Sequence, residues 1–305
     1  MNTFSNSLKT WTLMAALGGL LVAVGGLIGG QTGLVLAFGF AILLNGFVYW
    51  KSDSIALRAN GARELAPGEH PRLVSIVGLL ADRAGIPMPR VYIVERPEPN
   101  AFATGRDPRH AAIAVTTGLL ETMDERQLIG VLAHELSHVR NRDTLIGTIA
   151  ATIGGAISFL AQMGQFQLLF GGGDDDNGNP LLVLAGVILA PIAAMVIQLA
   201  VSRGREYLAD STGASLTGDP EGLAQALETL QAAQHQQGLL ARMRGGVRGG
   251  VPQRGRAEPQ ANPAFSNLWI VNPLAGSDVA RLFSTHPPLE DRIARLRAMR
   301  LRGAA

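Results

Sequence analysis

No cysteine occurs in the 305 residues, so neither a disulfide nor a thiolate-bound zinc is open to this chain. Any metal must sit on histidine and carboxylate. Charge is scarce too: Asp, Glu, Lys and Arg make up 16% of the residues, against about a quarter in ordinary soluble proteins. Lysine is nearly missing, with only Lys9 and Lys51. A formal net charge of +2 leaves no broad basic surface, which argues against nucleic acid as a partner. Aromatics are few, at 5%, while glycine is plentiful, at 37 residues. That mixture suits closely packed helices in a bilayer.

What is abundant is apolar sequence: 47% hydrophobic residues and a mean hydropathy of +0.21. Trp11–Gly30 and Gly33–Trp50 are separated only by Gln31-Thr32, and each approaches the roughly 20 residues that span a membrane. A signal peptide would be shorter, with no second run following at once. The pairs Gly25-xxx-Gly29 and Gly26-xxx-Gly30 would let two such helices approach closely. Two further apolar stretches, Thr144–Phe170 and Pro180–Val201, carry more polar residues and a proline, so a buried hairpin in a soluble core competes with a membrane one. The short connections lack Lys and Arg, whereas Lys9, Lys51, Arg140, Arg142, Arg203 and Arg205 flank the other ends. Under the positive-inside rule both termini and both polar regions are cytoplasmic.

Within the polar regions, Pro71–Ala84 has the apolar spacing of an amphipathic helix. Arg90–Glu95 and Ala111–Thr116 are rich in Val, Ile and Thr and predict strands. Thr122-x-x-Glu125 has the form of a capping box opening a helix through His134 and His138. Asp219-Pro220-Glu221 predicts another helix start, and Pro287-Pro288 opens a final helix, Leu289–Arg302. Gly238–Pro263, rich in Gly, Arg, Gln and Pro without periodicity, predicts a mobile loop.

The chemistry lies in His134-Glu135-Leu136-Ser137-His138. Residues four apart share a helix face, so both imidazoles can take one metal. Glu135 can then serve as general base for a water that the metal acidifies. A zinc protease needs a third protein ligand and one open position. No histidine follows His138 closely, which leaves a carboxylate from a second helix. Arg203-Gly204-Arg205-Glu206-Tyr207-Leu208-Ala209-Asp210 offers Glu206 as ligand, and Asp210 one turn later as acceptor for the far nitrogen of a ligating histidine.

With Asn100-Ala101-Phe102-Ala103-Thr104-Gly105 and Thr285-His286-Pro287-Pro288, these motifs resemble, in order and over nearly the whole chain, the HtpX-type membrane zinc proteases, a family related to the CAAX prenyl proteases. The resemblance implies one zinc per chain on His134, His138 and Glu206. It implies degradation of misfolded membrane proteins, as a stress response, at the cytoplasmic face of a bacterial inner membrane. It also implies an α+β, mainly helical fold: a gluzincin-like zinc protease domain with a small sheet, plus two hydrophobic helical hairpins. Residues 1–50 and 144–202 would be the hairpins, and 51–143 and 203–305 two parts of one catalytic domain. In related gluzincins a strand before the catalytic helix edges the cleft, which would make Ala111, Ile113 and Val115 an edge where an extended substrate adds; an ordinary core strand is the equal alternative. Asn100 would line the same cleft or turn the chain into that strand. His286 would sit beside the metal, donating to an oxyanion or filling the open position, or would merely cap a helix. An intramembrane protease would carry its motif inside an apolar span, whereas polar sequence flanks this one. A CAAX-type prenyl-protein protease and a catalytically silent membrane adaptor are the remaining alternatives.

Overall fold

The computed structural model describes residues 3–149, 203–245, 270 and 287–303. Most of the second hydrophobic hairpin, most of the Gly/Arg-rich segment and His286 therefore lie outside the described residues. Helix α1 (Thr3–Ala59) is assigned as one helical stretch, yet Gly30 within it has φ +56° and the chain doubles back there. The contacts trace the reversal. Trp11 stacks on Tyr49 at 6.2 Å between ring centroids, and the Asn45 side-chain amide donates to the Met14 carbonyl at 3.2 Å. A Cβ at Gly26 would lie 3.8 Å from Leu34. The turn is thus one left-handed glycine rather than the expected Gln31-Thr32 link, a conformation glycine adopts without steric cost. Close approach falls at Gly18, against Ala41 and Asn45, and at Gly26.

The most apolar 18 residues of the arm Gly30–Ala59 have a mean hydropathy of 1.9 and are only 11% buried. A core helix of a soluble protein would be mostly covered. Here Leu36, Phe38, Phe40, Leu43 and Phe47 face outward, and the arm is long and apolar enough to cross a membrane.

Beyond α1 the chain is mainly helical with a small mixed sheet. Strands β1 (Ala62–Glu64), β2 (Arg90–Val94), β3 (Ala101–Thr104) and β4 (Ala112–Thr116) lie in the order β1-β2-β4-β3. β2 and β4 are parallel; the outer pairs are antiparallel. Val91, Ile93, Ile113 and Val115 face the main core. Tyr92, Val94, Ala112 and Ala114 face the opposite way, onto Phe102 and Leu57 of α1. Coverage on both faces is why these strands show unbroken apolar sequence rather than alternation.

Helix α2 (Pro71–Ala84) forms as its spacing predicts. The expected capping box is displaced by two residues. Thr122 closes a short helix α3 (Thr117–Thr122), and Asp124 with Gln127 makes the reciprocal cap of α4 (Glu125–Asn141). The remaining helices are α5 (Arg203–Thr217), α6 (Pro220–Gly245) and α7 (Leu289–Gly303). α6 continues through 238–245, where a loop was expected, because Leu, Ala, Arg and Met there are strong helix formers.

α4 is the hub on which α2, α5 and α6 pack, and two glycines set how closely. A Cβ on Gly213 of α5 would come within 3.0 Å of the His134 nitrogen, and one on Gly130 of α4 within 2.8 Å of the Leu223 backbone. The bare backbone at Gly213 brings α5 directly against the turn of α4 that carries His134.

Candidate metal centre

His134 and His138 lie one turn apart on α4, with ring centroids 4.8 Å apart and planes at 90°. Their Nε2 atoms face each other at 3.2 Å. The Glu206 carboxylate arrives from α5, 3.6 Å from His134 Nε2 and 3.7 Å from His138 Nε2. Ligands about 2.1 Å from a tetrahedral zinc lie roughly 3.4 Å from one another, so the three spacings match such a shell.

The outer nitrogens explain the orientation. His134 Nδ1 lies 2.9 Å from Asp210 Oδ1, and His138 Nδ1 lies 3.0 Å from Asp143 Oδ1. With Nδ1–H donating to a carboxylate on each ring, both Nε2 atoms present lone pairs into the gap with Glu206. Lone pairs and a carboxylate converging there need a cation between them. His134 is 1% exposed and His138 18%, so the opening lies on the His138 side.

Asp143 and Arg292 were missed by sequence reasoning. Five residues on, an uninterrupted helix would carry Asp143 away from the His138 face. Instead Arg142 turns left-handed at φ +55°, and the amides of Arg142 and Asp143 donate to the carbonyls of Val139 and His138. This Schellman stop bends the chain so that Asp143 returns to His138. It also ends α4 before the next apolar stretch, so the catalytic helix does not run straight into that stretch. Arg292 of α7 is fully buried and grips Asp210 with two bonds, Nη2 to Oδ1 at 2.7 Å and Nε to Oδ2 at 2.9 Å. Its Nη1 lies 3.6 Å from Glu206. A signal existed in the sequence: Arg292 falls on the apolar stripe of Leu289, Ile293 and Leu296.

Glu135, next to His134, is 2% exposed, and its Oε2 accepts from the Ala103 N–H of β3 at 2.9 Å. That contact corrects the substrate-edge expectation. Strand β4, with Ile113 and Val115, is interior, paired by β2 on one side and β3 on the other. Ala111 just before it is buried and gives its carbonyl to the Arg90 N–H. The sheet edge beside the metal ligands is β3, because β4, the later strand, inserts between β2 and β3. Ala101 offers its carbonyl outward on that edge, where it accepts the Ile270 N–H at 3.1 Å. Asn100 stands at the head of β3, its backbone paired with Thr116 and its Oδ1 accepting the Ala101 N–H.

Charge completes the fit to a divalent cation. Glu135, Glu206, Asp210 and Asp143 face Arg292 and the buried Arg205, which leaves an excess of two negative charges. Without metal, burial and the Glu206 charge push the Glu135 carboxyl up to about 8. Burial would lower His138, but Asp143, Glu206 and Glu135 raise it to about 10. Burial would likewise raise Asp210, yet Arg292 holds it at about 2.

These shifts predict a pH effect. In the metal-free folded state Glu135 and His138 keep protons that the unfolded chain has released. His134, lowered by burial and by Arg292, acts in the opposite direction only below its ordinary value of 6.5. Stability therefore falls as pH rises from about 6.5 to 10. A bound cation replaces those protons. Melting with a chelator should therefore drop between the acid and alkaline ends of that window, and the gap to metal-loaded protein should widen. A constant gap would contradict this.

A histidine pair on one helix, a carboxylate from a second and a buried glutamate beside them define a metal-dependent peptidase. The model of peptidase family M48 matches residues 67–300, and the chain belongs to that family. It is 48% identical over 296 residues to a protein named "Protease HtpX homolog" from Desulforapulum autotrophicum, covering 96% of this chain and 89% of that one. The same name is carried by a relative from Persephonella marina, 49% identical over 96% of this chain and 97% of the relative. Another, from Pelotomaculum thermopropionicum, is 48% identical over 96% and 99%. A crystal structure of S. mikatae Ste24p aligns with 96% of this chain and 66% of its own, at 19% identity and a TM-score of 0.48. The chain is thus a metalloprotease of the HtpX type that acts on protein substrates.

Proposed function

We propose that the chain is a zinc endopeptidase at a bacterial inner membrane, cutting cytoplasmic loops and tails of misfolded membrane proteins. The observation that carries this is the convergence of His134 Nε2, His138 Nε2 and the Glu206 carboxylate, each 3.2–3.7 Å from the next, with Glu135 alongside. Zinc held there would acidify water and polarise the scissile carbonyl. Asp210 and Asp143 hold the Nδ1 side of each imidazole and turn both Nε2 atoms inward, and Arg292 holds Asp210. Glu135 takes the proton from the attacking water and delivers it to the leaving amine. An extended substrate adds along β3, using backbone hydrogen bonds that tolerate many side chains. It displaces the Ile270 amide from Ala101 and frees the Ala103 N–H from Glu135. His286 lies outside the described residues, and its place beside the metal rests on the resemblance alone.

The outward apolar face of the arm after Gly30 and the basic flanks support two membrane hairpins with the catalytic part in the cytoplasm. Ser137 is fully buried and bonded to Ala133, so it is a poor site for a topology label. Asp82, exposed on α2, serves instead. Asp82→Cys in this cysteine-free chain should react only from the cytoplasmic side, and labelling from outside would reverse the orientation.

The ligand set is tested by metal content. Glu206→Gln should strip most of the zinc, because a neutral amide is a poor ligand. Asp210→Asn should weaken retention roughly 10–100-fold, the range for a partner that orients a ligand. Full zinc occupancy in both variants would move the third ligand elsewhere.

A further inference from the structure

A second polar site lies away from the metal, at the open end of the α1 hairpin. Trp11 and Tyr49, at the outer ends of the first two apolar stretches, line one side of an open cavity of about 670 Å³. Leu145 lines it too, at the start of the helical turn 144–149 that begins the third apolar stretch. Arg106, Arg109, Arg140 and Arg142 line the polar side, with Asp107 as the one carboxylate there. Asp107 is engaged by His110 at 2.9 Å and by Arg106 at 3.8 Å. Among the described residues Arg109, Arg140 and Arg142 have no carboxylate partner. Three apolar stretches thus begin or end where four guanidinium groups gather.

We propose that this cavity binds the phosphate headgroup of an anionic phospholipid, an inference that rests on α1 being a membrane hairpin. Guanidinium groups match phosphate oxygens in pairs, and basic pockets beside spanning helices are where acidic headgroups bind. The aromatic wall argues for a lipid rather than free phosphate. Trp11 and Tyr49 have the amphipathic rings that settle at the level of headgroups, with acyl chains continuing along the apolar arms. The site also has a consequence for the enzyme. Arg140 and Arg142 belong to the end of α4, just past His138, so a bound headgroup would tether the catalytic helix to the bilayer surface.

The test uses the full chain in mixed vesicles of phosphatidylglycerol and phosphatidylcholine, with bromine on the acyl chains of one lipid at a time, and reads tryptophan quenching. Brominated phosphatidylglycerol should quench with at least tenfold preference, since each arginine near the surface contributes roughly fivefold. Arg109→Gln and Arg140→Gln combined with Arg142→Gly should bring the preference close to one. Glycine at 142 suits the left-handed turn, so loss of the fold is not the expected cause of that change. Arg109→Lys with Arg140→Lys should keep most of the preference. Excess inorganic phosphate should leave it unchanged. Equal quenching by both lipids, or an unaltered preference in the Gln/Gly variant, would overturn the lipid site while leaving the hairpin in the membrane. Erasure by inorganic phosphate would make it a free-anion site. Quenching by neither lipid would remove the membrane reading and this inference together.

Discussion

Glu135→Gln should abolish casein hydrolysis while zinc stays near one per chain. The loss should reach roughly 10²–10⁴-fold, the span that a positioned general base contributes. The substitution is nearly isosteric, and the amide oxygen can still accept the Ala103 N–H that Glu135 Oε2 now accepts at 2.9 Å. The buried site therefore stays satisfied, and the fold should hold. What disappears is a proton acceptor. A second readout follows from the raised pKa of Glu135. Its part of the alkaline destabilisation expected without metal should vanish in the variant, because glutamine does not titrate. If the variant still cuts, the base lies elsewhere; if it loses its zinc, Glu135 is a ligand.

Arg292→Met should be the most destabilising single change in α7. The side chain is fully buried and binds both oxygens of Asp210, which is itself 3% exposed. Methionine fills similar space but leaves a buried carboxylate with only the His134 contact, and breaking one side of such a pair costs about 3–5 kcal/mol. Zinc affinity should fall too, since Asp210 orients His134. Adding Asp210→Asn should recover part of the stability but not the zinc. That non-additivity separates a charge pair from simple packing. Melting in detergent reads the first effect and metal content the second. A loss under about 1 kcal/mol would mean that Arg292 is dispensable to the site.

Much of this centre was legible in the chain because it is local. The four-residue spacing of His134 and His138 fixes both on one face whatever surrounds the helix. Apolar spacing likewise located α2, the Pro287-Pro288 start signal located α7, and run length with hydropathy located the long apolar arm. Glu206 and Asp210 were legible only through chemistry, as the carboxylates that a metal with two histidines still required. Asp143 was not, because its role depends on a left-handed residue at Arg142, and arginine gives no hint of that backbone state.

The sequence by itself determined the catalytic pattern, the absence of thiol ligands, and an apolar hairpin ahead of a mainly helical protease. Those properties depend on residues close together along the chain, where helical geometry is the only constraint. Tertiary structure alone decided that β3 rather than β4 is the edge beside Glu135, that Ile270 rests on that edge, and that Arg292 closes the network from the far end of the chain. Strand order and long-range ion pairs are set by how whole faces pack, with Gly213 letting α5 reach α4. No spacing within a single segment encodes such contacts.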